Sequence, residues 1–462
     1  MKGVGTMDPS IFKAYDIRGI YPDQINEEGA WKIGCATARF LRSLLRGYER
    51  GRAKAQSLCV GRDMRTHSEG IAKALIKGMN STGTNVIDVG LIDTPQMYFA
   101  INHFGTCGGV QVTASHNPAK YNGFKISGLQ AKPISGDTGL KDIEYVASAL
   151  LHTKGKSTGS VEKCDLTAEY KEHVLKFLKP KTKKMKMAVD ASNGMAGKMV
   201  PAIFGDLQIE IVALNFEHAG KFKHSPDPLV EKNLSQLKTR VKKQRCDFGV
   251  CFDGDADRLI VIDEKANTVG CDLITALIAP FFLDKHPKST IVYDVRSSRV
   301  VVEEIIKHGG TPRRERVGHT LIKKAMRDSH AVFGGELSGH FYYSDNYYAD
   351  SAMITLVHLI NILSRADAPL SKLIAPLRRY HNSGEVNFEV EDKQTKMDEF
   401  TRRYNDGQVD HLDGVTIGYK DWWFNCRPSN TEPLLRLNIE AKTKELLDEK
   451  LSEMSQQLGQ PV

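Results

Sequence analysis

The loop Asp253-Gly254-Asp255-Ala256-Asp257-Arg258 sets three carboxylates at alternate positions. Like charge crowded this closely is unfavourable unless a divalent cation sits among it, so the loop is a candidate metal site. A calcium-binding EF-hand would use the same register, with Asp253, Asp255, Asp257 and Glu264 at positions 1, 3, 5 and 12. Two features oppose that reading. Arg258 stands at position 6, where the sharp turn needs glycine, and the flanks at 248–252 and 259–262 have the pattern of strands rather than helices.

A second stretch, Thr113-Ala114-Ser115-His116-Asn117-Pro118, holds a hydroxyl between small and polar residues. The apolar alternation of Val110 and Val112 predicts a strand ending near Thr113. Ser115 then stands in the loop at the strand's C-terminal end, where open α/β sheets bind ligands. Lys125 follows, returning toward the serine through a turn at Asn122-Gly123. A lysine there can neutralise phosphate charge or shuttle a proton.

Further clusters have the residue types of a sugar-phosphate site. Gly334-Gly335-Glu336-Leu337-Ser338-Gly339-His340 offers a carboxylate to vicinal hydroxyls, with glycines that permit close approach. Arg427-Pro428-Ser429-Asn430-Thr431-Glu432-Pro433 combines a guanidinium, two hydroxyls and an amide. It reads as a phosphate cradle or as a plain hairpin turn. Arg18 before Gly19 reads as a phosphate or hydroxyl ligand, or as a surface arginine at a turn. The turn Asn193-Gly194-Met195-Ala196-Gly197 opens a helix and reads as a packing turn rather than a phosphate site.

Taken in order, and over essentially the whole chain, these stretches resemble the signature loops of the α-D-phosphohexomutases. The resemblance rests on Thr113 to Pro118 followed by Tyr121-Asn122-Gly123-Phe124-Lys125, on the aspartate loop, and on Glu336, Ser338, Gly339 and His340. Phe12-Lys13-Ala14-Tyr15-Asp16-Ile17-Arg18-Gly19 and His224-Ser225-Pro226-Asp227-Pro228 match as well. It implies that Ser115 carries a phosphoryl group, with His116 beside it in the catalytic loop. Mg²⁺ would be held by Asp253, Asp255, Asp257 and Ser115. Arg18, Lys125 and Arg258 would stabilise the transferring group, and His340 or Lys125 would move the proton. Substrate contacts are implied at Tyr15, Arg296, Gly318, His319, Glu336, Ser338, Arg427, Ser429, Asn430 and Thr431. At Arg296 the chain departs from the lysine common in dual-specificity members, which bears on substrate preference.

The implied reaction, of the phosphomannomutase/phosphoglucomutase type, is reversible interconversion of hexose 1-phosphate and hexose 6-phosphate. It passes through a phosphoserine enzyme and a hexose 1,6-bisphosphate, which also acts as activator. A carboxylate that reads O3 and O4 ignores C2, so mannose and glucose phosphates should both be substrates. The other readings are a phosphoglucosamine mutase, opposed by Gly335 to Ser338 and by Asn430, a Mg²⁺-dependent sugar-phosphate hydrolase, and a non-catalytic sugar-phosphate binder.

The elements that must position these loops follow from periodicity. Strands alternate with helices through most of the chain, which predicts parallel βαβ units. The expected architecture is three mixed α/β domains plus a smaller C-terminal α+β domain around a central cleft. The boundaries are 1–155 with the phosphoserine loop, 156–266 with the metal loop, 267–373 with the sugar loop and 374–462 with the phosphate loop. A polar linker is expected at 153–160, and no internal repeat is visible by eye. At 462 residues, 41% hydrophobic and 26% charged, the composition is that of a globular protein of several domains.

The net charge of +8 comes from scattered lysines and arginines, and the dense run at 179–186 has no interleaved aromatics. That argues against nucleic acid and suits an anionic small substrate. Eight cysteines form neither a CxxC pair nor a compact framework, which fits a reducing, cytoplasmic setting. No apolar run is long enough to span a bilayer. The expected partners are hexose phosphates alone, for a monomer or weak oligomer.

Overall fold

Four sheets organise the residues described by the computed structural model: 7–47, 51, 54–150, 158–218, 220–429 and 434–462. The chain falls into two compact units. One runs to Thr268 and takes in Asp345–Leu370; the other joins Val269–Ser344 to Ser371–Val462.

The first unit holds two sheets. One comprises β1 (Ile17–Ile20), β2 (Leu58–Arg62), β3 (Val86–Leu91), β4 (Gly108–Val112), β5 (Tyr121–Gly128) and β6 (Val161–Lys163), in the order β1-β5-β4-β2-β3-β6. The βαβ strands β2, β3, β4 and β6 are parallel, while β5 runs antiparallel to both β1 and β4. Every residue of β4 is buried, as a central strand covered on both faces requires. The chain reversal after β4 spans 113–120, and Asn122 and Gly123, expected to form the turn, lie inside β5. Gly123 is needed there because a Cβ would stand 2.1 Å from the carbonyl oxygen of Ile17 on β1.

The second sheet has β7 (Met185–Asp190), β8 (Ile209–Leu214), β9 (Phe248–Phe252) and β10 (Leu259–Asp263), in the order β10-β9-β7-β8. The antiparallel pairing of Phe252 with Leu259 closes a hairpin around the aspartate loop. The short β11 (Thr268–Val269) lies where the sequence passes from one unit to the other.

A helix spans Thr94–Phe104, although the stretch from Gly90 to Pro95 reads in the sequence as a turn. Asp93 caps it by accepting from Gln96 N at 2.8 Å, Pro95 sits in its first turn, and Gly105 ends it in the left-handed conformation at φ 65°. That signature is legible in the sequence, but the Thr94-Pro95 pair also reads as turn punctuation. The stretch 151–157, most of the expected linker, lies outside the described residues.

In the other unit, β12 (Thr290–Asp294), β13 (Thr311–Glu315), β14 (Phe333–Gly335) and β15 (Phe341–Tyr343) run in the order β13-β12-β14-β15. β16 (Ala349–Asp350) belongs to the first unit's return segment, ahead of the helix Ala352–Arg365. The last sheet is antiparallel throughout, with β17 (His381–Glu389), β18 (Gln408–Asp410), β19 (Val415–Gly418), β20 (Trp422–Pro428) and β21 (Leu434–Ala441) in the order β17-β21-β20-β19-β18. Its inner face, with Phe388, Phe424, Leu437 and Ile439, packs on Phe400 and Met454 from the helices Lys393–Arg403 and Lys444–Leu458.

One local device recurs in the three α/β sheets. An aspartate at the end of β2, β7 or β12 turns the chain by accepting from the backbone two residues on: Asp63 from Arg65 N at 3.0 Å, Asp190 from Ser192 N at 2.9 Å, Asp294 from Arg296 N at 2.8 Å. These Asx turns launch three loops from equivalent strand ends, a repetition too short to see in the sequence. Among the described residues, no helix is long and apolar enough to cross a membrane.

Candidate active site

Ser115 sits in the reversal after β4 with φ 49°, a left-handed conformation rare for a residue with a Cβ. Two contacts hold it there: its N–H donates to Thr113 Oγ1 at 2.9 Å, and Arg65 Nη2 donates to its carbonyl oxygen at 2.9 Å. Arg65 spreads the same guanidinium over the carbonyls of Asn117 at 2.7 Å, Pro118 at 2.8 Å and Tyr121 at 3.1 Å, and its Nε reaches Asp63 at 3.1 Å. One buried arginine therefore satisfies four backbone acceptors of the serine loop. The Asp63-x-Arg65 spacing is the only signal in the local sequence, and none of the motifs above includes it.

The serine hydroxyl donates to Asp253 Oδ2 at 2.7 Å and lies 3.2 Å from His116 Nδ1. Gly254 makes this meeting of two loops possible, since a Cβ there would stand 2.4 Å from the carbonyl oxygen of Ser115. The glycine turn at 193–197 supports the metal loop from behind. Met195 N donates to Gly254 O at 2.9 Å, and a Cβ on Gly194 would meet that oxygen at 2.6 Å. The packing-turn reading fits these contacts.

A carboxylate oxygen from each of Asp253, Asp255 and Asp257 falls within 4.8 Å of the others, and all three residues are buried. Lys125 Nζ donates to Asp255 Oδ2 at 2.7 Å and to Asp257 Oδ2 at 2.5 Å. At that spacing each carboxylate pair repels by roughly 3–4 kcal/mol at an effective dielectric of about 20. One ammonium against three carboxylates still leaves the cluster with surplus negative charge. The Asp253 carboxyl is accordingly pushed far above the usual carboxylate range, by burial first and then by Asp257 and Asp255. Asp255 Oδ1 is buried with no hydrogen-bond partner. Three oxygen ligands, an unsatisfied oxygen and surplus negative charge fit a divalent cation such as Mg²⁺.

Burial alone would lower the Lys125 ammonium, but the carboxylates of Asp255 and Asp257 outweigh it and hold the group well above its usual value. His116 goes the other way: burial, then the cations Arg258, Arg18 and Lys125, push its imidazole well below the usual range. Arg18, on β1 opposite Gly123, donates to Asn117 Oδ1 and pairs with Asp16 at 2.5 Å. Tyr15 is half-buried just ahead of β1. Arg258 N donates to Asp253 Oδ1 at 3.3 Å. Ser115, His116, Arg18, Lys125, Arg258 and the three aspartates thus form one connected cluster.

In the other unit, Glu336 is buried, accepting from Gly318 N at 3.2 Å and from Tyr342 OH at 2.7 Å. Ser338 Oγ lies 2.9 Å from His340 Nδ1, and the His340 ring stacks on His319 with centroids 6.1 Å apart. Gly334 and Gly335 are not part of the exposed turn. They lie in β14, where Cβ atoms would stand 2.9 Å from Met326 Sδ and 2.0 Å from Thr275 Oγ1, so they serve helix packing rather than ligand approach. Gly339, with φ 89°, is the glycine the turn itself requires.

Arg296 pairs with Asp294 at 2.7 Å and approaches Glu385 at 3.5 Å and Glu336 at 3.8 Å. Glu385 also accepts from Arg427 at 2.6 Å and from Arg436 at 2.9 Å. Burial would raise the Glu385 carboxyl, yet Arg296, Arg427 and Arg436 bring it below its usual value. Arg427 stands in β20 opposite Arg436 on β21, not in a free loop. Ser429 N donates to Leu434 O at 2.9 Å, while Asn430 and Thr431 lie outside the described residues. Sequence reasoning missed Glu385, Arg436, Tyr342 and Thr94, which no local motif marks.

Four family models match the chain: Phosphoglucomutase/phosphomannomutase, alpha/beta/alpha domain I over residues 9–150, domain II over 168–268, domain III over 271–380, and the C-terminal domain over 385–457. A phosphomannomutase of Vibrio cholerae is 38% identical over 96% of this chain and 97% of its own. One of Methanocaldococcus jannaschii is 37% identical over 97% of each. Among solved structures, a phosphoglucomutase/phosphomannomutase family protein of Burkholderia thailandensis superposes with a TM-score of 0.87 at 30% identity, covering 98% of each chain.

Proposed function

The chain belongs to the phosphoglucomutase/phosphomannomutase family, and we propose that it interconverts hexose 1-phosphates and 6-phosphates through a phosphoserine at Ser115. The observation that carries this reading is the 2.7 Å bond from Ser115 Oγ to Asp253, with Lys125 bridging the other two aspartates. A nucleophilic oxygen, a cation-binding trio and a compensating ammonium are what phosphoryl transfer needs, because that chemistry is mostly positioning and charge neutralisation.

Asp253, Asp255 and Asp257 would hold Mg²⁺, which when bound supplies Lewis-acid stabilisation of the phosphoryl oxygens. Arg18, Arg258 and Lys125 bring further positive charge to the same group. Lys125, held protonated by its two carboxylates, acts as a charge and not as a base.

His116, held neutral, is the proton acceptor on the serine side. As Ser115 Oγ attacks the bisphosphate, its proton moves to Nδ1, the Oγ–P bond forms and the sugar P–O bond breaks, the leaving sugar oxygen taking a proton from His340. In the opposite transfer the sugar hydroxyl gives its proton to His340 and attacks the phosphoserine, the Oγ–P bond breaks and His116 returns the proton to Oγ.

Recognition of substrate is assigned to Glu336, Ser338, His340, Gly318 and His319 for the sugar. Arg427, Ser429, Asn430 and Thr431 take its phosphate, Arg296 bears on substrate preference, and Tyr15 is a further substrate contact. A hexose 1,6-bisphosphate would serve as activator by rephosphorylating Ser115. Because hydroxyl recognition by Glu336 does not involve C2, mannose and glucose phosphates are both substrates. The division into four domains at 155, 266 and 373 is retained as part of this reading, with one loop per domain.

The test is ³¹P NMR of the protein with Mg²⁺, a trace of glucose 1,6-bisphosphate, and mannose 1-phosphate or glucose 1-phosphate. Both should convert to 6-phosphates without inorganic phosphate, and Ser115→Ala should abolish conversion. Release of inorganic phosphate would point instead to a hydrolase, and absence of change to a binder.

A further inference from the structure

Thr94 lies far from the aspartate loop in sequence and reads there as part of a turn, but it opens the helix Thr94–Phe104 against Asp255. Its Oγ1 donates to Asp255 Oδ2 at 2.5 Å, and its N–H donates to the backbone oxygen of the same residue at 3.0 Å. One residue therefore clamps Asp255 at both its carboxylate and its carbonyl. Thr94 is completely buried, and Asp93, by capping the helix on Gln96 N at 2.8 Å, fixes its place.

The consequence lies in how many oxygens each aspartate can offer a cation. Asp255 Oδ2 carries two donors, Thr94 Oγ1 and Lys125 Nζ, while its buried Oδ1 has none. Asp257 Oδ2 is taken by Lys125. Asp253 Oδ1 accepts from the N–H groups of Asp257 at 3.2 Å and Arg258 at 3.3 Å. Asp255 is thus limited to a single ligand oxygen by a residue outside the loop. Lys125 alone would not impose this, since its flexible ammonium is shared with Asp257 and is available to an incoming phosphate. The threonine hydroxyl, at the first turn of a helix, is not.

A small cation such as Mg²⁺ or Mn²⁺ takes single oxygens in a tight octahedron, whereas Ca²⁺ takes six to eight oxygens and readily accepts both from one carboxylate. We propose that Thr94 is a positioning residue that sets metal specificity: by occupying Asp255 Oδ2 it enforces one-oxygen ligation and so favours Mg²⁺-sized ions over Ca²⁺. The proposal rests on the reading of the aspartate loop as a metal site.

The experiment titrates the full-length protein with Mn²⁺, following the free-ion signal by electron paramagnetic resonance, and then displaces bound Mn²⁺ with Ca²⁺. Wild type, T94V, T94S and D255N are compared. Losing one hydrogen bond to a charged oxygen should weaken Mn²⁺ binding about tenfold in T94V. Ca²⁺ should become a roughly tenfold better competitor relative to Mn²⁺, and T94S should restore both values. If T94V does not fold, T94A, which keeps the N–H bond and leaves no apolar branch, is read in the same way. A Ca²⁺-to-Mn²⁺ ratio unchanged from wild type in the folded variant overturns the role of Thr94 while leaving the metal site standing. Failure of the wild type to bind Mn²⁺ more tightly than D255N removes the metal reading itself, and this inference with it.

Discussion

Arg65 Nη2 donates to the carbonyl oxygen of Ser115 at 2.9 Å, so the residue that fixes the serine loop is an arginine on the neighbouring parallel strand's exit, not a member of the loop. The same guanidinium serves Asn117, Pro118 and Tyr121, and its fork is neutralised by buried Asp63. A rigid planar donor is what allows one side chain to reach four acceptors.

Arg65→Lys should therefore misplace Ser115 without removing any group from the proposed chemistry. Displacement of a reacting atom by about 1 Å costs on the order of 100-fold in kcat. Arg65→Met should in addition leave Asp63 buried and unpaired, lowering stability by roughly 3–5 kcal/mol. Steady-state kinetics and thermal melts of the two variants check both; a lysine variant with wild-type kcat would exclude this role.

Glu385 gathers Arg296, Arg427 and Arg436 around one carboxylate. Glu385→Gln keeps the shape but removes the charge that orients Arg427. The expected result is a KM for hexose phosphate raised about tenfold with kcat within about twofold, the signature of lost ground-state binding. A fall in kcat at constant KM would contradict it.

Asp253 holds its proton well above the usual carboxylate range because it is buried beside Asp257 and Asp255. A divalent cation reverses that preference, so its binding should be accompanied by proton release. Calorimetry of Mg²⁺ binding in buffers of different ionisation enthalpy should detect the release, and buffer-independent heats would count against it. Mg²⁺ at about 100 times its Kd should stabilise the protein by about 2.7 kcal/mol, an effect that chelation by EDTA or Asp255→Asn removes.

His173 is buried against Phe99 and Tyr347, with Asn346 Oδ1 2.8 Å from its Nε2, and burial lowers its pKa from 6.5 to about 4. The unfolded chain takes up this proton below pH 6.5 and the folded chain does not. Its contribution is therefore complete above pH 6.5 and is lost progressively as pH falls towards about 4. Allowing for partial screening, the loss is on the order of 2 kcal/mol. His173→Phe should flatten this part of the stability profile in urea melts between pH 7 and pH 4; an unchanged slope would show that another group is responsible.

By itself, the sequence determined the chemistry of the loops and the elements that carry them. Alternating apolar residues marked β4, β9 and β10, so the ends of those strands, and with them Ser115 and the aspartate trio, were legible. Local pattern is sufficient there because side-chain period and turn residues are properties of adjacent positions. It also located Glu336 and Arg427, but not what holds them.

Tertiary structure decided which residues act together. Thr94 and Asp255, Arg65 and Ser115, and Glu385 and Arg427 are joined by hydrogen bonds across 161, 50 and 42 positions of sequence. No spacing rule marks such pairs, because they exist only once strand order and helix packing bring the partners within about 3 Å. For the same reason Asn122-Gly123 reads in the sequence as a turn and Gly334-Gly335 as room for a ligand. Glycine signals that a Cβ has no room, and only the packed neighbours, the Ile17 carbonyl in one case and Thr275 in the other, reveal whether a turn or a close contact is the cause.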